Sequence, residues 1–201
     1  ATKFGLPTGK SPLDRGASRR YIQRAVEASL QRLQTDYIDL YQLHFPDAAT
    51  PIAETLETLD DLVRAGKVRY VGCCNFSAWQ IADADWTARS GGRQRFATAQ
   101  NAYSLLDRSV EKEVLPACRH YQLGMLPYFP LASGMLTGKY RKDAPRPAGS
   151  RLENPEPWAK PFLDDRNFDT VERLRGYAEA RGHSLLELAI GWLLAQPVIT
   201  S

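Results

Sequence analysis

The sequence predicts an α/β protein built on parallel strands, an incomplete (β/α)8 barrel, and three observations lead there. Strand-like and helix-like segments alternate, with strands near Lys3, His44, Cys74, Gln100 and Tyr128 recurring about every thirty residues, the length of a βα unit. The glycine fingerprint G-x-G-x-x-G, which an open doubly wound sheet carries after its first strand, does not occur. Successive strands also end on polar residues: Lys3; His44; Cys74 with Asn75; Gln100 with Asn101; Tyr128. One such ending is noise, but five in a row suggest a single site at the top of a barrel. The count reaches about six strands where a closed barrel has eight.

Each element has its own signal. Ala1 to Phe4 reads as a first strand, followed by a Gly/Pro loop. Ser18 is placed to cap a helix whose apolar stripe is Tyr21, Ile22, Ala25, Val26, Ser29, Leu30 and Leu33. Tyr37 to Leu43 is an almost unbroken apolar run closed by Pro46-Asp47, which suits a strand covered on both faces. Thr50-Pro51 predicts an N-cap and first helical position, and Gly66 a left-handed stop. Val68 to Cys73 is the next strand, Ser77 opens a helix that ends at Gly91-Gly92, and Phe96 to Asn101 is a strand. Ser109 is expected to cap a helix kinked by Pro116. Gly124 to Phe129 is a further strand, in which Pro127 limits pairing. From Lys142 to about Arg166 the sequence is rich in Pro and charge without a period, the signature of a long functional loop. Helices are expected over Asn167–Arg181 and Ser184–Ala195, and Val198–Thr200 starts a last strand.

Composition narrows the function classes. At 201 residues, 43% of them apolar, the chain reads as one globular domain with a sizeable core. Its net charge of +3 is small and its basic residues are interleaved with acids, which argues against nucleic-acid and membrane partners. Three cysteines, two of them the neighbours Cys73 and Cys74, point to reduced thiols and a cytoplasmic location. No apolar run has the length of a membrane span, and ATKFGLPTGK lacks the parts of a signal peptide. The stretch from Gly134 to Tyr140 has one residue too few between its glycines for a Walker loop, and a tyrosine where Ser or Thr would bind magnesium.

The motifs ATKFG, LDRGASRRYIQRAVEASLQRLQTDYIDLYQLHFPD, ETLDDLVRAGKVRYVGCCNFSAWQI, QNAYSLLDR and PYFPLASGMLTGKY run through the whole chain. Together they resemble the aldo-keto reductases, in the bacterial branch close to the potassium-channel β-subunit type. The resemblance implies NADPH-dependent reduction of a small aldehyde or ketone on a (β/α)8 barrel, with no metal. Lys3 matches the lysine that lowers the pKa of a catalytic tyrosine, and His44 the histidine that orients the substrate carbonyl. Taken alone, Lys3 is a strand-end lysine and His44 a satisfied strand-edge imidazole, so the motifs decide. Asn75 and Gln100 match side chains that hold the nicotinamide carboxamide, which needs both a donor and an acceptor. Cys74 falls where the family commonly has serine. Tyr128 matches the ring that stacks on the nicotinamide. Phe129, Pro130, Leu131, Ala132, Ser133 and Gly134 match the loop that wraps the pyrophosphate, with Phe129 in place of a frequent serine. Lys139 and Arg151 match cations near the cofactor phosphates. His120 and His183 match no motif and read as surface residues.

In that family the catalytic tyrosine, its partner aspartate and two strands lie upstream of the ATK strand, and the grip on the adenosine 2′-phosphate lies downstream of Val198. The chain is therefore expected to be an interior segment of such a reductase. Two function classes stay open: the reductase, and a nucleotide-binding regulatory or interaction protein on the same scaffold. Lys3 and His44 together favour the first, because a pure binding module has no need of a carbonyl-orienting imidazole. A different (β/α)8 enzyme would leave the Tyr128 to Tyr140 motif unexplained.

Overall fold

The computed structural model describes residues 1–200. Strands β1 (Thr2–Phe4), β2 (Ile38–Leu43), β3 (Val68–Cys74), β4 (Thr98–Ala102) and β5 (Gly124–Tyr128) alternate with helices α1 (Arg19–Leu33), α2 (Ile52–Arg64), α3 (Ala78–Ser90) and α4 (Val114–Tyr121). Helices α5 (Asp165–Glu179) and α6 (Leu185–Leu194) follow. The strands lie in the order β1-β2-β3-β4-β5. The pairs from β1 to β4 are parallel, and one register line runs Lys3, Gln42, Gly72, Thr98. Each strand adds on the same side of its predecessor, as in a barrel and unlike a doubly wound sheet, whose order reverses. The arrangement is that of an incomplete (β/α)8 barrel. The chain divides into two compact units, Ala1–Asn101 with Glu111–Leu126, and Ala102–Val110 with the chain from Pro127 onward.

In the first unit the apolar periodicity of the helices becomes core. Ser18 caps α1, its hydroxyl accepting from the Tyr21 N–H, and Ile22 and Val26 are fully buried. Leu56 and Leu59 of α2, Val71 of β3, Ile81 and Ala88 of α3, and Cys118 of α4 are buried as well. Gly66 is left-handed (φ +74°) and closes α2, with Lys67 N–H bonded to Leu62 O at 3.1 Å.

Several local expectations are corrected. Helix α2 is capped by Pro51 and starts at Ile52, one residue later than expected, because the Thr50 hydroxyl bonds to Asp47 (2.8 Å) instead. Ser109–Glu111 is a 3-10 turn, and α4 begins only at Val114. Pro116 therefore sits in the first turn of α4, where its missing N–H has no intrahelical partner, so no kink is needed. Five strands form among the described residues, and at Val198–Thr200 there is only a bridge at Ile199, whose N–H turns back to Gln196 O at 3.1 Å.

The second unit has its own core: Ala132, Met135, Leu136, Tyr140, Leu152, Ala159, Phe168, Val171, Leu185 and Ala189. The Pro-rich segment contains a 3-10 turn at Pro157–Leu163 and contributes Leu152 and Ala159 to this core. Helix α5 runs Asp165–Glu179, two residues earlier than its periodicity suggested, because Asp164 accepts from the Arg166 N–H as its cap. Helix α6 opens on a capping box in which Ser184 and Glu187 satisfy each other's backbone N–H groups.

Candidate functional site

Backbone lacing brings the polar strand ends of the first unit to one level. The His44 N–H donates to Phe4 O (2.8 Å), tying the end of β2 to β1. Asn75 Nδ2 donates to His44 O (2.9 Å), tying the turn after β3 to β2, and the Asn75 N–H donates to Gln100 O (2.9 Å), tying it to β4. Asn75 takes up a left-handed conformation (φ +60°), which asparagine tolerates better than most residues, and this turns its amide back toward β2. The Cys74 thiol donates to Gln100 Oε1 at 3.5 Å. Lys3, exposed, and His44, partly buried, both line a cavity of about 750 Å³ that extends from these strand ends along α1 past Arg20, Arg24, Glu27 and Arg32.

Charge in this cavity follows from its neighbours. Burial, and then the Lys3 ammonium, lower the His44 pKa below its ordinary 6.5, so the imidazole is mainly neutral at pH 7 and has one N–H to give. Burial pushes the Cys74 thiol up to about 11 while Lys3 pulls the other way, so Cys74 stays protonated. All three cysteines are free and buried.

In the second unit the chain after β5 is folded tightly back. Phe129, Ala132, Ser133 and Gly134 all have positive φ, from +47° to +99°. A Cβ on Gly134 would lie 3.3 Å from the Tyr140 ring and 3.4 Å from Lys139 Cε, so the close approach needs glycine. The Ser133 hydroxyl is buried with no hydrogen-bond partner. The Ala132 and Gly134 N–H groups are taken by Phe129 O and Leu131 O (both 2.8 Å), which leaves the orphaned Ser133 hydroxyl and the neighbouring Lys139 as the donors of this turn that would suit a phosphate. The Tyr128 ring meets Phe129 edge-on (5.2 Å, 80°), and Phe129 stacks flat on Trp158 (5.0 Å, 9°). The Arg151 guanidinium lies over the Phe129 and Trp158 rings at 5.7 and 5.3 Å, so aromatic faces hold it in this structure. Pro130 and Leu131 complete the turn.

Sequence reasoning brought out Lys3, His44, Cys74, Asn75 and Gln100, and the first unit places them together. It missed Gln42, whose buried amide accepts from Thr98 Oγ1 (3.1 Å) across Gly72, because a glutamine inside an apolar run reads as an interruption. Asp47 was noticed only as a strand stop, and Trp158 was hidden in a segment without a period. Among the described residues no cluster of metal-ligating side chains occurs, and no helix is long and apolar enough to cross a membrane.

Comparison with known proteins gives these features a lineage. The aldo/keto reductase family model matches residues 1–201. The chain is 39% identical over 199 residues to the aldo-keto reductase YhdN of Bacillus subtilis, covering 98% of this chain and 58% of that one. The oxidoreductase YrpG of the same organism is 38% identical over 187 residues, 93% of this chain and 55% of its own. A probable voltage-gated potassium channel subunit beta of Oryza sativa is 39% identical over 196 residues, 96% of this chain and 60% of its own. The chain thus spans between half and three-fifths of the length of these relatives. It belongs to the aldo/keto reductase family.

Proposed function

We propose that the chain is part of a single-barrel, cytoplasmic NADPH-dependent reductase that converts small aldehydes or ketones to alcohols. The observation that carries this reading is that Lys3 and a neutral His44, both at strand ends, line one cavity and that the Lys3 charge acts on the imidazole. When bound, the reduced nicotinamide supplies the hydride. His44 would donate its N–H to the carbonyl oxygen, orienting the substrate and favouring the charge that grows on that oxygen. Lys3 supplies positive potential in the same cavity, where it would favour an ionised phenol.

Taken separately, the residues of each unit fit one part of such a cofactor. Asn75 and Gln100 offer amides for a carboxamide, with Asn75 Nδ2 also committed to His44 O and Gln100 Oε1 accepting only a weak thiol bond. In the second unit Tyr128 offers a ring face, Ser133 a hydroxyl for a phosphate cradle, and Lys139 charge beside it. The cradle's orphaned Ser133 hydroxyl is the observation that fits a bound dinucleotide.

The probable channel β-subunits among the relatives support a second reading, a nucleotide-binding regulatory protein. One experiment separates the two. The whole protein is titrated with NADPH and then given a small aldehyde, with absorbance of the reduced nicotinamide followed. Binding with consumption supports the reductase, binding without consumption supports the regulator, and no binding defeats both.

A further inference from the structure

Beyond the strand ends, one carboxylate gathers the loops around His44. The Asp47 side chain stands three residues after His44 and accepts three hydrogen bonds: from the Ala17 N–H (2.8 Å), the Thr50 hydroxyl (2.8 Å) and the Ala49 N–H (3.0 Å). Two of these donors are local and shape the turn that leaves β2. The third, Ala17, belongs to the loop that leaves β1, thirty positions earlier. That loop is fitted to the contact from both sides. Gly16 is left-handed (φ +91°), its N–H donates to Gly5 O (2.9 Å), and a Cβ on it would stand 2.7 Å from Asp47 Oδ2. Ala17 O in turn accepts from the buried Thr55 hydroxyl at 3.0 Å.

We propose that Asp47 is a positioning residue for the carbonyl-orienting imidazole: its carboxylate clamps the 5–17 loop against the turn at 45–50 and so fixes where His44 stands relative to Lys3. The route is short. The His44 backbone is held on β1 by its N–H on Phe4 O and on the turn after β3 by Asn75 Nδ2 on its carbonyl, and the Asp47 clamp three residues on holds the turn that follows it. Loss of the clamp frees the turn that follows His44, and small displacements of a group that acts in the transition state are costly. Asp47 reaches the reaction only through His44, so cofactor capture should be insensitive to it. The inference rests on the reductase reading.

The test is Asp47→Asn in the whole protein. Asparagine keeps the shape but offers one acceptor atom where the carboxylate offers two. The expected result is a fall in kcat of roughly ten- to a hundredfold, with NADPH Kd nearly unchanged and faster amide exchange at Ala17 and Ala49. If Asp47→Asn does not fold, Gly16→Ala is measured in its place, since its methyl pushes on Asp47 Oδ2 directly, and the same pattern is expected. A folded variant with wild-type kcat overturns the inference, as does one in which kcat and cofactor affinity fall in proportion, which is general loosening. A wild-type protein that binds NADPH but turns over no carbonyl defeats the reductase reading itself, and this inference with it.

Discussion

Burial and the Lys3 ammonium act in the same direction on His44, and the outcome is a side chain suited to hydrogen bonding rather than to carrying a proton at neutral pH. Replacing it with alanine should lower kcat roughly a hundred- to a thousandfold, the range for a lost oxyanion donor, while NADPH Kd stays close to wild type. Steady-state kinetics beside a direct nucleotide titration checks this, and an unchanged kcat removes His44 from the mechanism. Asp47 carries a second, independent expectation. Burial works to raise its pKa, but the Ala17 N–H, the Thr50 hydroxyl and the Ala49 N–H outweigh it, Arg15 adds to them, and the carboxyl ends below its ordinary 3.8. Asp83 of α3 lines the same crevice as Asp47. A depressed folded pKa means a contribution to stability that is present above about pH 3.8 and is lost as pH falls through the lower folded value. The melting temperature of Asp47→Asn should therefore vary less than that of wild type below pH 3.8, as acid thermal scans would show.

Elements were legible in the sequence wherever a period and a punctuating residue coincided. Ser18, Ser77 and Ser184 each precede their helix, and Gly66 follows one, because local hydrogen bonding and backbone freedom set those positions with little help from the rest of the chain. The misplaced starts of α2 and α4 have the opposite origin. Thr50 was drawn away by Asp47, and Glu111 to Glu113 pass through a turn before α4 begins, neither of which a local pattern encodes. The site was legible through its motifs, whereas the Asp47 clamp and the Gln42–Thr98 bridge depend on contacts between distant strands. Gly72 makes that bridge possible, since a Cβ there would lie 2.3 Å from Thr98 Oγ1. Gly72→Ala should destabilise the first unit by about 1–3 kcal/mol, the range for overpacking, and chemical denaturation measures it. In the second unit, Tyr128→Ala should weaken NADPH binding, and Lys139→Ala should flatten the dependence of binding on ionic strength. Calorimetry at two salt concentrations that finds neither effect removes both from cofactor capture.

For the molecule as a whole, β1 and β5 are the two ends of the strand order. The tight turn after β5 has a consequence for selection and engineering. Ser133 holds a left-handed backbone that costs a non-glycine residue roughly 1–2 kcal/mol, and it keeps a hydroxyl out of water without a partner. Glycine would relieve both burdens, so a search for heat-tolerant variants should pick Ser133→Gly readily. On the reductase reading the same change removes a donor from the turn proposed to face the cofactor phosphates, so a hardier protein with weaker NADPH binding is expected. On that reading, position 133 is one where thermal robustness and nucleotide retention pull in opposite directions.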